Sequence, residues 1–427
     1  MKRTIVCVLV SLLCFATAAF IAPTNVAAWG SLTHALIGHE LGQPSGLVNP
    51  QEIYGAALPD LFNLMFDSPY REYLAYQTQF EFDKMVDVSW GIFPDAAVFG
   101  CVTHNGRWGS DWTAHTSART HPAEGYVYAK RALLAASLEP RLVVLLTEAG
   151  VPDPEGVAAT IAPGLAENFV ETAVDVLVYR NQDPWIGWRL ALAAQLRDFR
   201  VPFVLSWAYA RDFAAEFGLS YWQARSIIVE AENQFRDMMT LYGGIFTRSE
   251  SEVIDLLAQQ GAALARSLMK SLTGYDVTVS PQLLADILAN EAIPLVEGDY
   301  GAELSATIAY LREEMEHRGY EPVSETVTAV GDGSDGFGRT PPVTVEQNRP
   351  NPFNGSTTIE YALSAEAQVR LAVYNARGQL IDVLVEGVQP PGHHAVAWEA
   401  PRLPSGVYFY RLESGPFTTT RKMWLLK

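Results

Sequence analysis

The chain has 427 residues, 49% hydrophobic and 18% charged, with a formal net charge of −18. That length exceeds one ordinary domain, and the apolar fraction excludes a disordered chain. The acidic balance opposes non-specific binding to nucleic acid, which needs a field of Lys and Arg, so no stable nucleic-acid partner is expected.

Residues 1–28 read as a secretory signal peptide: Lys2 and Arg3, an apolar run from Ile5 to Cys14, then small residues ending in Val26-Ala27-Ala28. The apolar run is too short for a comfortable membrane span. Removing this leader takes Cys7 and Cys14 and leaves Cys101 as the single thiol, so an intramolecular disulfide is excluded. It also leaves 28 basic residues against 48 acidic ones.

After the leader come Trp29 and, five residues on, His34. The segment Gly55-Ala56-Ala57-Leu58-Pro59-Asp60 follows, which by itself reads as a turn or a helix cap. The stretch Thr103–His121 then gathers three of the eight histidines beside an aspartate. If it is helical, His104, Asp111 and His115 fall at i, i+7 and i+11 on one stripe. Imidazole and carboxylate are zinc ligands, and one stripe can face one site. Further on, Glu167, Glu171 and Asp175 stand at i, i+4 and i+8, a pattern usual for the solvated face of a helix.

Taken together these residues resemble the zinc-dependent phospholipase C family and the related single-strand-specific zinc nucleases. The resemblance implies that Trp29, as a new amino terminus, binds metal through its amine and carbonyl beside His34. It makes the Pro59-Asp60 aspartate a ligand, with Asp60 also the general-base candidate. His104, Asp111, His115, Glu171 and Glu167 complete the implied set, holding two or three zinc ions. Two departures stand out: Glu167 occupies a histidine position, and no histidine lies between residues 61 and 103, where Glu81, Asp83 or Asp87 is the expected replacement. His39 points elsewhere and reads as a packing or surface residue.

Apolar residues recur at threes and fours in Tyr126–Ala136, Tyr221–Leu241, Glu250–Leu272 and Glu303–His317, so residues 29–325 are expected to form one all-α domain. Trp185, Trp188, Trp207 and Trp222 read as core or pocket wall. Residues 326–342 are rich in Gly and Pro and read as a flexible linker. Beyond it, short alternating runs at Thr357–Leu363, Val369–Tyr374 and Val407–Leu412, with turns at Ala376-Arg377-Gly378 and Pro390-Pro391-Gly392, predict a small Ig-like β-sandwich over 343–427. The fold class is therefore mainly α, a helical domain followed by an all-β module, and the resemblance implies that the helical domain is a metal-dependent phosphodiesterase.

Asn351-Pro352-Phe353-Asn354, Val373-Tyr374-Asn375, Ser405-Gly406-Val407-Tyr408-Phe409-Tyr410 and the basic Lys427 resemble the C-terminal sorting domain of the type IX secretion system. That resemblance implies the secretion machinery as a partner and passage through the periplasm and outer membrane, to a secreted or surface location. The combined expectation is a zinc-dependent phosphodiesterase of phospholipase C type, with a phospholipid substrate and transient membrane-surface contact. The rival readings are a related nuclease and a degenerate, non-catalytic metal-binding surface protein.

Overall fold

The computed structural model describes residues 29–43, 48–65, 68–323, 343–345, 348–351, 353–363, 366–375, 379–400, 403–414 and 417–425. The expected leader 1–28, the expected linker 326–342, the turn 376–378, and Pro352 and Lys427 of the tail motifs lie outside the described residues. The chain divides into two compact units, one drawn from Met1–Val86, Asp95–Asp198 and Glu230–Glu325, the other from Asp87–Pro94, Phe199–Val229 and Thr326–Lys427.

The first unit is helical. Helix α1 (Ser31–Leu41) and α2 (Asn49–Ala57) lead into a 3-10 turn (Leu58–Leu64), then α3 (Arg71–Phe80), α4 (Asp83–Val88), α5 (Ile92–His104) and the short α6 (Ser110–His115). The long α7 (Tyr126–Glu148) and α8 (Pro154–Asn181) form an antiparallel hairpin. Its turn uses Gly150 at φ 72° and Asp153, whose carboxylate accepts from the Gly156 amide and caps α8. Helices α9 (Ile186–Leu196), α10 (Val201–Phe217), α11 (Tyr221–Ile245), α12 (Glu250–Thr273), α13 (Pro281–Ile287), α14 (Ile293–Glu297) and α15 (Tyr300–His317) follow, of which α10 and the first part of α11 are assigned to the second unit. The boundary between the two units falls within α4, within α5 and within α11.

Helix α7 buries Leu134, Leu138, Leu142 and Leu146, one residue per turn. Helix α8 behaves differently: every residue from Leu165 to Val178 is buried, so the helix runs through the core and carries Glu167, Glu171 and Asp175 into it. The acidic stripe is not a solvated face. Helices α2 and α5 meet at Gly55 and Gly100, where a Cβ would stand 1.9 Å from the Ala97 carbonyl oxygen and 2.2 Å from the Glu52 carbonyl oxygen. That close approach brings the end of α5 within hydrogen-bond reach of the α2 backbone, and His104 Nδ1 lies 2.8 Å from the Ala56 carbonyl.

The four predicted helices occur; three are extended by one to four residues, and the first runs on from Ala136 to Glu148. Thr103–His121 does not form one helix. The Asn105 side chain accepts from the amides of Arg107, Trp108 and Gly109, which turns the chain and restarts it as α6. The tryptophan expectation also fails at two positions: Trp185 and Trp188 are 66% and 49% exposed, because α9 turns Ile186, Gly187, Leu190, Ala191, Ala193 and Ala194 inward instead.

In the second unit the tail forms two antiparallel sheets, β1-β2-β5 and β4-β3-β6-β7. The strands are β1 (Val343–Val345), β2 (Ser356–Leu363), β3 (Ala367–Asn375), β4 (Leu380–Gln389), β5 (Gly392–Glu399), β6 (Gly406–Ser414) and β7 (Phe417–Leu425). Alternate residues Ile359, Tyr361 and Leu363 of β2 and Val369, Leu371 and Val373 of β3 fill the core with Trp398, Tyr410 and Leu412. The Pro390-Pro391 corner carries the chain from β4 in one sheet to β5 in the other. Phe353 of the Asn351 to Asn354 motif is buried, and its amide donates to the Trp424 carbonyl, tying the motif to the last strand.

Candidate metal centre

Among the described residues, two groups of three ligand side chains stand in the helical unit, and in each the ligand atoms lie within 4.8 Å of one another. His34 from α1, Asp60 from the 3-10 turn and His104 at the end of α5 make the first. His115 at the end of α6 makes the second with Glu167 and Glu171 of α8. The groups face each other closely enough for charges to be felt across them. Asp111 acts on His104, and Asp60 acts on both His115 and Glu171.

Each histidine is held by one ring nitrogen and presents the other. His34 Nδ1 is 3.0 Å from Ser110 Oγ, and its buried Nε2 has no hydrogen-bond partner. At His104 the Ala56 carbonyl requires a proton on Nδ1, which leaves Nε2 as the lone-pair nitrogen of the neutral ring. His115 Nδ1 sits 3.0 Å from Asp111 Oδ1, while Nε2 lies 3.4 Å from Glu167 Oε1 without a well-formed hydrogen bond. A tethered second nitrogen is how metal-binding imidazoles are oriented.

The carboxylates are strained electrostatically. Burial pushes the Glu171 carboxyl well above its ordinary range, and Glu167, Asp60, Asp175 and Asp111 push it further. Glu167 is raised by burial as well, against the pull of His115 and of Arg131, whose guanidinium donates to Oε2 at 2.5 Å. Oε1 of each glutamate is buried without a hydrogen-bond partner. His34 is pushed down by burial and by His104 and His115, so its ring is neutral. At His104 and His115 burial opposes the cationic form, but the nearby carboxylates raise both. Buried atoms left unsatisfied cost roughly 1–3 kcal/mol each, and several converging on one spot fit a cation that the donors would share. The donor set of imidazole nitrogens and carboxylate oxygens suits zinc.

The expected residues are thus placed as follows. His34, Asp60, His104, His115, Glu167 and Glu171 belong to the two groups, and Asp111 holds His115 from behind. His104, Asp111 and His115 do not share one helical face, since a helix break separates the first from the others. Trp29 is 1% exposed, its indole nitrogen donating to Thr113 Oγ1 of α6 and its ring stacking on Tyr126 at 5.1 Å. His39 binds Asn49 Oδ1, in keeping with a packing role. None of Glu81, Asp83 and Asp87 joins either group; Asp83 instead pairs with Arg107 at the surface.

Sequence reasoning missed Gln79. This fully buried residue of α3 donates Nε2 to Asp60 Oδ1 at 3.1 Å and approaches His104 Nε2 at 3.1 Å. It lies in the interval where the resemblance calls for a histidine, and a glutamine carries no metal signal of its own. Asp175 was seen in the stripe without a role. Its carboxylate accepts from the Leu32 and Thr33 amides, the Thr33 hydroxyl and the Tyr242 hydroxyl, fixing the start of α1 one turn from Glu171.

Residues 349–425 match the secretion system C-terminal sorting domain. The sandwich is therefore the export signal of the type IX pathway, which directs the protein across the outer membrane to a secreted or surface-attached state and engages that machinery. No curated protein and no solved structure matches the chain.

Proposed function

We propose that the helical unit is a zinc-dependent phosphodiesterase, most like a phospholipase C, that hydrolyses phospholipids outside the cell. The observation that carries this reading is the pair of facing ligand groups with their unpartnered buried atoms on His34, His115, Glu167 and Glu171. Zinc held there would lower the pKa of water toward about 7 and neutralise the phosphoryl oxygens of a diester. His34, His104 and His115 orient their Nε2 atoms for that purpose through Ser110, Ala56 and Asp111. Asp60 is the group suited to take the proton from the attacking water. Its side chain is 17% exposed beside fully buried His104, and Asn63 and Gln79 fix its orientation by donating to Oδ1.

Two observations favour lipid over nucleic acid. The aromatic faces near the centre are already occupied: Trp108 by Tyr320 and Arg318, Trp112 by Arg119, and Tyr126 by Trp29. A single-strand nuclease needs free faces for base stacking and a basic track. The exposed indoles of Trp185 and Trp188, by contrast, are side chains suited to a lipid headgroup layer.

The test is a parallel assay of zinc-loaded protein on phosphatidylcholine or phosphatidylethanolamine vesicles and on single-stranded DNA and RNA. Release of diacylglycerol, abolished by a chelator, is the expected result. Fast nucleic-acid cleavage with inert lipid would transfer the reading to the related nucleases, and inactivity on all would make the unit a non-catalytic metal-binding surface protein.

A further inference from the structure

The two ligand groups differ in chemistry. The first offers two imidazole nitrogens and one carboxylate oxygen, from His34, His104 and Asp60. The second offers one imidazole nitrogen and two carboxylate oxygens, from His115, Glu167 and Glu171. The His34 and His104 rings stack at 3.8 Å between centroids, a nitrogen-rich wall. Around the second group the oxygen character deepens, because Asp111 Oδ1 stands 3.0 Å from the far side of the His115 ring. Arg131 takes one oxygen of Glu167 and leaves Oε1 for the site.

Nitrogen donors favour zinc strongly over manganese, whereas carboxylate oxygens bind hard cations such as Mn2+ with much less discrimination. We infer that the two centres are not interchangeable: the His34–Asp60–His104 centre selects zinc, and the His115–Glu167–Glu171 centre accepts Mn2+. The inference rests on the proposed reading only insofar as both require that the cluster bind metal. It adds that the protein works as a mixed-metal centre wherever manganese is the more available ion. The unpartnered Oε1 atoms of Glu167 and Glu171, both on residues more than nine-tenths buried, are the donors that make the second centre hard.

The experiment uses the full metal-free chain. Mn2+ alone is titrated and followed by electron paramagnetic resonance in the unaltered protein, in Glu171→Gln and in His34→Asn. One Mn2+ per chain is expected to bind tightly, with affinity falling at least about tenfold in Glu171→Gln and staying within about twofold in His34→Asn. Next, one equivalent of Zn2+ is added before Mn2+, and X-ray absorption at the zinc edge counts the imidazoles. Two imidazoles on zinc, with manganese retained, is the expected result. Equal loss of Mn2+ affinity in the two variants, or manganese released by a single equivalent of zinc, would overturn the inference and leave the proposed function standing. Correctly placed zinc and manganese without hydrolysis of any diester would do the reverse. Circular dichroism and thermal melting of both variants separate ligand loss from unfolding.

Discussion

His34 and His104 lie face to face at 3.8 Å between ring centroids, both fully buried. Two imidazoles so placed cannot both carry a proton charge, and the neutral ring is His34, through burial and the proximity of His104 and His115. A pair that repels when protonated is a pair that welcomes a dication. Acid should therefore release metal before it unfolds the helices.

Metal removal is expected to destabilise the protein. Several carboxylates crowd around Glu171, and a bound cation relieves their mutual repulsion. Zinc at a hundred times its dissociation constant stabilises by about 2.7 kcal/mol if the unfolded chain does not bind it. Differential scanning calorimetry with and without chelator reads the shift, and an unchanged transition would mean that the cluster holds no metal.

Gln79→His should raise zinc affinity at the His34–Asp60–His104 centre. The Gln79 amide stands 3.1 Å from His104 Nε2, the nitrogen a metal would use, and an imidazole there offers a lone pair where the amide offers a proton. A gain of roughly tenfold in competition with a chromophoric chelator is expected, the scale on which neighbours of metal ligands act. Unchanged affinity would place the Gln79 side chain outside the coordination sphere.

Asp175 gives a pH signature to the metal-free protein. Burial raises its carboxyl from 3.8 to about 6, against the pull of the donors from Thr33, Leu32 and Tyr242. The folded state thus binds the proton more tightly than the unfolded one, so this group's contribution is fully present below about 3.8 and is lost as pH rises through 6. The loss is about 3 kcal/mol at 1.36 kcal/mol per unit. Asp175→Asn should flatten the pH dependence of urea unfolding between pH 4 and 6.5; an identical slope would rule out this origin.

Replacing Trp185 and Trp188 by alanine should slow hydrolysis of vesicle lipid while sparing a soluble short-chain phosphodiester. Both indoles are exposed, so the fold should lose within about 0.5 kcal/mol for each. Equal loss on both substrates would point to a role in the site instead.

Deleting residues 343–427 should strand the protein inside the outer membrane of its native host. The matched sorting domain occupies 349–425 and contributes no side chain to either ligand group. Fractionation of the host reads the result; normal surface delivery would show a second export route.

Much of the candidate centre was legible because metal ligands are few residue types. Histidines and acids that converge betray themselves even when the geometry that unites them is misread. His104 and His115 were found through a helical stripe that Asn105 in fact breaks, by capping three successive amides. Gly109 is bound up with that break, since a Cβ there would sit 2.5 Å from the Asn105 backbone. Gln79 was invisible because amides are common in helices and only the neighbours Asp60 and His104 give this one meaning. The burial of Glu167 and Glu171 was hidden for a similar reason: an acidic stripe looks the same whether it meets water or a buried cluster. In the sandwich, β2 and β6 alternate cleanly and β3 does so as far as Leu371, whereas β4 buries no residue fully and β5 buries Trp398 alone, so these two carry little core signal.

The seat of Trp29 bears on the order of events in biogenesis. Its ring is sealed between Tyr126 and the Thr113 hydroxyl, and a Cβ on the next residue, Gly30, would lie 2.4 Å from the Asp175 carboxylate. For a chain cut after Ala28, the scissile bond adjoins a residue that folding hides. A peptidase that must reach it acts on an extended chain. Leader processing would then precede folding, and the helical unit would first assemble on the far side of the inner membrane, where any metal it binds would be taken up.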